Sequence, residues 1–328
     1  MTTTRRNFLG LTLLGLTACS TAAGASTKTL RYQGAVGDVT LPELAADLGY
    51  LGDVKLEWVG NTTSGPQDIQ SAATGQVDFG GAFNGAVVKL RAAGAPIRSV
   101  IGYYGVDEFA YNGFYVLDDS PVRTPRDLIG KKIGMNTLGA HHEAVLGTYL
   151  KRNGLTPDEI KKVEPIVVPP VNTEQSVRQK QIEVGVLGGI LRDKALENGG
   201  IRKLFSDFDL LGAFTAGTYV FTEKFLRDNP DTVRAFVTGV GRAIEWSRTT
   251  PRDQVVARKL DIVAKRGRNE DPSALKYWKS NGVAEKGGKV VDSQLTVWID
   301  WLAERGEIPA NQVRAADLYT NEFNELAR

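Results

Sequence analysis

The alternation of short β-rich runs with amphipathic helical segments constrains this chain more than any other feature. Residues 30–33, 54–59, 77–79, 97–103, 113–117, 132–135, 164–168 and 183–187 read as strands, being short and rich in β-branched or aromatic side chains. The segments between them carry helix punctuation. Thr124-Pro125 opens a helix that Gly130 stops, and Thr156-Pro157-Asp158-Glu159 is a capping box with proline at the first helical position. Asn229-Pro230-Asp231 opens a longer helix in which Val233, Phe236, Val237, Val240 and Ile244 recur at the 3.6-residue period. Beyond Phe221 the chain reads as nearly all helix, and the stripe Leu295, Trp298, Ile299 and Leu302 before Gly306 reads as core. Such alternation predicts an α/β fold of mostly parallel sheets with helices on both faces.

An internal echo points to two related lobes. Gln76-Val77-Asp78-Phe79-Gly80 is matched 105 positions later by Gln181-Ile182-Glu183-Val184-Gly185, each after a helical segment of similar length. The reading is a chain that builds one lobe, crosses to a second and returns. The crossings are expected at 117–119 and 217–220, giving lobe 1 as 28–117 plus 221–328 and lobe 2 as 118–220.

The first residues read as an export signal. Thr4-Arg5-Arg6-Asn7-Phe8-Leu9 has the twin-arginine pattern, which suggests the Tat route. The apolar stretch from Phe8 to Leu16 is interrupted by Gly10, Thr12 and Gly15, far short of the ~20 apolar residues of a membrane-spanning helix. Leu16-Thr17-Ala18-Cys19 resembles a bacterial lipobox, which implies removal of residues 1–18 and acylation of Cys19. Residues 19–27 would then tether a soluble body to the outer face of the cytoplasmic membrane, touching the membrane only through lipid. The full chain has 40 Lys+Arg and 38 Asp+Glu; losing Arg5 and Arg6 leaves it neutral. A neutral surface argues against a nucleic-acid partner. Cys19 is the only cysteine, so no disulfide forms and no thiol is left for catalysis or metal binding.

Several motifs together carry a family resemblance. Ser64-Gly65-Pro66-Gln67, Gly75-Gln76-Val77-Asp78-Phe79-Gly80-Gly81 and Ala92-Ala93-Gly94-Ala95-Pro96-Ile97 come first. Asp119-Ser120-Pro121-Val122, residues 127–134 (DLIGKKIG), Asn153-Gly154-Leu155 and residues 225–230 follow in order. Over nearly the whole mature chain this resembles substrate-binding proteins of the sulfonate/nitrate/taurine class of ABC importers. The resemblance implies the two-lobed type II periplasmic-binding-protein fold, with ligand in the cleft and two crossing strands as hinge. It also implies a monomer partnered by an importer permease and its ATPase, with no cofactor or metal.

The binding chemistry follows from helix starts, where unpaired N–H groups and a partial positive charge suit an oxyanion. One candidate start is Ser64, Gly65, Pro66 and Gln67, where glycine permits close approach of backbone to ligand. The other is Thr137-Leu138-Gly139-Ala140-His141, and the resemblance implies that the two face the cleft from opposite lobes. Three or four charge-assisted hydrogen bonds at roughly 1.5–3 kcal/mol each reach the ~8 kcal/mol of a micromolar complex. Phe83 and Asn84 follow the strand that ends at Gly80-Gly81, and Gln33 ends the first strand, the usual places for ligands in open α/β sheets. Tyr103, Tyr104 and Tyr111 lie near the expected crossing, where core packing is an equal reading. After residues 183–187, many relatives place a tryptophan and an acidic residue before proline. Here Gly188-Gly189-Ile190-Leu191-Arg192 stands instead. That widens the cleft, removes one ammonium contact, and favours a bulkier sulfonate or other organic anion over taurine. Arg192 reads as a solvated helix arginine.

Nitrate and thiamine-pyrimidine precursors are alternative ligands, and a pyrimidine-synthase-like enzyme or a sensory ectodomain are alternatives of another class. For catalysis, His141-His142-Glu143 is the only histidine cluster, and neighbouring helical residues diverge by about 100°, poorly suited to a shared metal. No HExxH, GxSxG or P-loop pattern is present, and an enzyme is not expected.

Overall fold

The computed structural model describes residues 27–327; the expected leader, Cys19 and the tether up to residue 26 lie outside the described residues. Among the described residues there are ten strands: β1 (Thr29–Gly34), β2 (Lys55–Asn61), β3 (Phe79–Phe83), β4 (Ile97–Val106), β5 (Asn112–Leu117), β6 (Lys132–Met135), β7 (Glu164–Val167), β8 (Val184–Gly188), β9 (Ile201–Ser206) and β10 (Phe214–Thr222). Local signals set many of the helices between them. At Thr156 the hydroxyl accepts the Glu159 N–H while Glu159 returns a bond to the Thr156 backbone, the reciprocal cap expected there. Thr124 and Asp127 cap a short 3₁₀ turn, Pro125–Leu128, in place of a longer helix. The Pro230–Thr249 helix buries Val233, Phe236, Val237, Val240 and Ile244 along one stripe, as its period dictates.

The strands form two bodies. In the first, β3-β10-β4 form one sheet and β1-β2 a parallel pair beside it, joined where the Asp78 N–H donates to the Arg31 carbonyl at 3.0 Å. The second is a five-stranded sheet ordered β7-β6-β8-β5-β9. Parallel pairing holds for β1-β2, β6-β7 and β6-β8, whereas every antiparallel pair contains β5 or β10. These are the two strands that arrive from the other body, and each enters its new sheet running against its neighbours.

That topology moves the crossings. β5 already belongs to the second sheet and β10 lies wholly in the first, so the chain crosses at 107–111 and 207–213, not at 117–119 and 217–220. Turn formers flank β5 at both ends, and the sequence does not distinguish a lobe boundary from a strand end. The upstream turn is set by Asp107, whose carboxylate accepts the N–H groups of Phe109 and Ala110 at 2.8 and 2.6 Å.

Each body has its own core. In the first, the Phe79 ring meets Phe236 at 4.5 Å and Phe221 at 5.7 Å, among Val233, Val240 and Ile244. In the second, Tyr149, Phe205 and Phe114 stack in series over Ile133, Met135, Val184 and Leu150. A third cluster spans the two: Ala140 and Ala144 of the second body pack with Phe83, Trp298 and Leu302 of the first. Lys151–Glu304 at 2.7 Å and Arg305–Glu143 at 3.2 Å flank this seam. On the other side the bodies meet through Ile190, which packs against Val255, Val256 and Trp278, and through ion pairs, with Lys279–Asp193 at 2.8 Å, Lys276–Glu197 at 3.6 Å and Lys194–Asp271 at 4.0 Å.

The echo is a structural repeat. Helix, strand and helix run Gly65–Ala73, Phe79–Phe83, Asn84–Ala92 in the first lobe and Pro170–Arg178, Val184–Gly188, Gly189–Glu197 in the second. All three starts are 105 positions apart.

Candidate functional site

The repeat brings its two copies to opposite walls of a cavity of about 510 Å³ between the lobes. The first lobe supplies the end of β1, residues 62–66, Asp68, Gly81, Phe83, Tyr103, Tyr104 and Tyr219. The second supplies Asn136, Thr137, residues 140–142, Pro170, Thr173 and residues 186–191. The crossing segment 109–112, residues 277–281, residues 38–41 and Lys259 add to the lining. The two expected helix starts face one another: the Asn136 amide donates to the Thr63 carbonyl across the cleft at 3.4 Å.

Of the residues expected at a site, Gln33, Ser64, Gly65, Pro66, Phe83, Thr137, Ala140, His141, Gly188 and Gly189 line this one cavity. Three do not. Gln67 projects to solvent from the turn beyond Pro66. Asn84 is fully buried, its amide donating to the carbonyls of Thr215 and Gln294 at 3.2 and 3.1 Å, so it joins β10 to the C-terminal helices. Gly139 adopts a left-handed φ of 67° and gives its N–H to Glu143 at 2.8 Å, closing the turn before the His141–Arg152 helix. Arg192 is also corrected: it is 2% exposed, with guanidinium bonds to the carbonyls of Phe109 and Tyr111 at 2.7 and 3.0 Å. Its guanidinium lies 3.8 Å over the Tyr111 ring and locks the crossing segment to the second lobe, meeting neither solvent nor ligand.

Two glycines shape the first-lobe wall. A Cβ on Gly80 would fall 2.5 Å from the Asp68 carbonyl oxygen, so glycine lets β3 lie directly against the Gly65–Ala73 helix. A Cβ on Gly81 would strike the rings of Tyr103 and Tyr219, which stack there at 4.1 Å. The close approach also lets the Gly81 N–H reach the Asp68 carboxylate at 2.7 Å. Burial pushes the Asp68 carboxyl up to about 7, opposed only by that one N–H. Burial likewise raises Tyr103, Tyr104 and Tyr219, with neighbouring groups adding to the effect, so all three hydroxyls are neutral.

The second-lobe wall is anchored by Asp207, which is fully buried at the return crossing. It accepts from the Asn112 N–H at 2.9 Å, the Asn112 amide at 2.8 Å and the Phe208 N–H at 2.8 Å, and faces His141 Nε2 at 2.8 Å. His141 is thereby fixed edge-on to Phe83, leaving Nδ1 buried without a partner among the described residues. Burial, with His141 beside it, lowers His142 to about 3 and keeps it neutral. The cations on the cavity wall are engaged: Lys259 holds Asp38 at 3.0 Å and the Val39 carbonyl at 3.2 Å, and Lys279 holds Asp193. The arrangement offers aromatic faces, helix-start N–H groups, one half-satisfied carboxyl and the Nδ1 atoms of His141 and His142. Asp68, Tyr219, Asp207 and Thr173 were missed from sequence; only Asp68, one residue past Ser64-Gly65-Pro66-Gln67, stood near a motif.

A family model described as NMT1/THI5 like matches residues 44–254, well over half of the chain. An aliphatic sulfonates-binding protein of Escherichia coli (strain K12) is 27% identical over 229 residues, covering 67% of this chain and 69% of that protein. A 4-amino-5-hydroxymethyl-2-methylpyrimidine phosphate synthase of Candida albicans (strain WO-1) is 25% identical over 224 residues, or 64% of this chain and 63% of that one. Among solved structures, the alkanesulfonate-binding protein of Xanthomonas axonopodis pv. citri bound to MOPS superposes with a TM-score of 0.68 at 20% identity, over 90% of this chain and 99% of that one.

Proposed function

The chain belongs to the NMT1/THI5-like family, and on that premise we propose that it is an extracytoplasmic solute-binding lipoprotein of an ABC importer that captures a sulfonate between its lobes. Its fold is the two-lobed type II periplasmic-binding-protein fold of its structural neighbours. The observation that carries the reading is the confrontation of the Gly65 and His141 helix starts across a single aromatic-walled cavity. First-turn N–H groups have no partner inside a helix, and two sets converging from opposite walls suit an oxyanion better than either alone. Phe83, Tyr103, Tyr219 and Trp278 offer apolar faces for the organic part. The sulfonate-binding relatives support this ligand class, and their periplasmic setting supports export. Acylation of Cys19, twin-arginine export and a permease partner belong to the same proposal.

The test is a melting-temperature panel on protein lacking residues 1–19. Alkyl and aryl sulfonates raise the melting temperature; at a hundredfold excess over Kd the stabilisation is about 2.7 kcal/mol. Stabilisation by amines or pyrimidines alone, with no response to any sulfonate, overturns the anion reading. A second reading rests on the synthase relative and on the His141–Asp207 pair, which has the form of an oriented general base. Turnover of a stabilising ligand supports that reading; stabilisation without turnover supports capture for transport.

A further inference from the structure

Asp68 is unlike every other carboxylate near the cleft. Its residue is 7% exposed, and one oxygen takes the Gly81 N–H while the other, Oδ1, is buried with no partner among the described residues. Isolated burial of an ionised carboxylate is costly, and a wall serving only to pack would not need one. The matching position of the second lobe shows the cheaper solution: Thr173, also buried and also on the cavity wall, satisfies its hydroxyl on the Pro169 carbonyl of its own helix at 3.3 Å.

Among the described residues no cation answers Asp68. Its own helix, residues 65–73, and β3 contain no Lys, Arg or His. β4 and β10 face it with Tyr103 and Tyr219, both neutral. On the Asn84–Ala92 helix, Lys89 and Arg91 are held by Glu307 and Glu223. Asp78, on the approach to β3, is held by Arg31. Lys259 and Lys279, on the cavity wall, are held by Asp38 and Asp193. Asp68 thus lines the cavity with a buried oxygen that no described residue satisfies.

We propose that Asp68 is a specificity-determining group whose free oxygen receives an N–H carried by the same small molecule whose anionic group meets the helix starts. This rests on the anion-cleft reading above and narrows it: the ligand is an amino-bearing organic anion, a zwitterion with an apolar or aromatic spacer, and not a plain alkanesulfonate. Ammonium and ionised carboxylate form the stronger, charge-assisted bond, and the aromatic walls suit a ring between the two charges. The contact restores the counter-charge that the fold omits. The carboxyl's elevated titration near neutrality then makes recognition pH-dependent.

The test compares matched ligands that differ at one end: 4-(aminomethyl)benzenesulfonate and 4-ethylbenzenesulfonate, with 4-ethylbenzylamine as the ligand lacking the anion. Affinities are measured by calorimetry on wild type and Asp68→Asn, in which the Asn carbonyl can still accept from Gly81. The expected result is that wild type prefers the amino sulfonate by about tenfold or more, and that Asp68→Asn loses this preference. Equal binding of both sulfonates, unchanged in Asp68→Asn, overturns the inference and leaves the anion reading standing. Asp68-dependent binding of the benzylamine alone, with no response to either sulfonate, upholds the role of Asp68 and overturns the anion reading instead. Should Asp68→Asn fail to fold, a wild-type pH series decides. Through about pH 7 the ammonium ligand tightens as the carboxyl ionises, while the ethyl ligand weakens. Parallel pH responses of the two overturn the inference.

Discussion

The two walls of the cleft are the same helix-strand-helix unit, yet they hold their glycines and polar groups by different physics. In the first lobe β3 lies so close to its helix that the space for a Gly80 side chain is filled by the backbone of Asp68. In the second, the matching Gly185 meets the methyl groups of Val177 and Thr173 first, at 2.6 and 2.9 Å, with the Thr173 carbonyl oxygen at an ordinary 3.6 Å. The first wall carries Phe83 and an unsatisfied carboxyl; the second carries Gly188 and a satisfied hydroxyl at those positions. One topology has thus produced a wall packed backbone on backbone with a titratable carboxyl and a wall lined by side chains that can shift. Repetition sets where the walls stand, and the substitutions within it set what each recognises.

The sharpest way to break that comparison is to add one methyl to each lobe. Gly80→Ala forces backbone against backbone and is expected to cost more than about 3 kcal/mol. Gly185→Ala, meeting side chains that can shift, costs about 1–2 kcal/mol. Urea denaturation of the two variants checks the order, and equal costs would remove the distinction. Next, Arg192→Met leaves the carbonyls of Phe109 and Tyr111 without their donor and is expected to cost about 3 kcal/mol. Because the contact lies at the crossing, this variant also loses ligand affinity in the calorimeter.

The third test is of stability against pH. Folded Asp68 holds its proton more tightly than the unfolded chain does. The ligand-free protein therefore loses stability as pH rises from about 4, where the unfolded carboxyl titrates, to about 7. Asp68→Asn escapes that loss and gains on the order of 1–3 kcal/mol over wild type at pH 8, with little gain at pH 4. His142 acts with the opposite sign. It is held neutral when folded, so its contribution is lost as pH falls from 6.5 toward 3. The difference between the two proteins isolates Asp68, and a difference that is flat with pH would contradict its buried titration. The smallest effect is expected at the seam: Arg305→Ala breaks a half-exposed pair with Glu143 and changes stability by less than about 1 kcal/mol.

Much of this was legible in local sequence because its causes are local. The Thr156 cap, the stripe on the Pro230–Thr249 helix and the paired pentapeptides each depend on residues within one or two turns. What sequence did not yield depends on distant partners. Arg192 looks like a solvated helix arginine until carbonyls more than eighty positions upstream are folded onto it. Asn84 looks like a cleft residue until β10 and the Gln294 carbonyl claim its amide. The crossings were misplaced by several residues because a strand changing sheets carries the same turn signals as one that simply ends. Asp68 was passed over since nothing in its neighbours reveals that every cation around the cleft is already taken.

The seam and the charged side of the cleft differ in a way that fixes how the molecule can move. Along Ala140, Ala144, Trp298 and Leu302, the lobes share an apolar contact that water would have to replace on separation. Along Lys279–Asp193, Lys276–Glu197 and Lys194–Asp271 they share ions, with one smaller apolar contact where Ile190 rests on Val255, Val256 and Trp278. Parting the ions and the Ile190 contact while keeping the larger greasy edge joined is the cheaper motion, like a book whose spine is glued and whose fore-edge is held mostly by static. Solutes would enter at the fore-edge, and added salt, by screening those ions, would shift the resting molecule toward open covers.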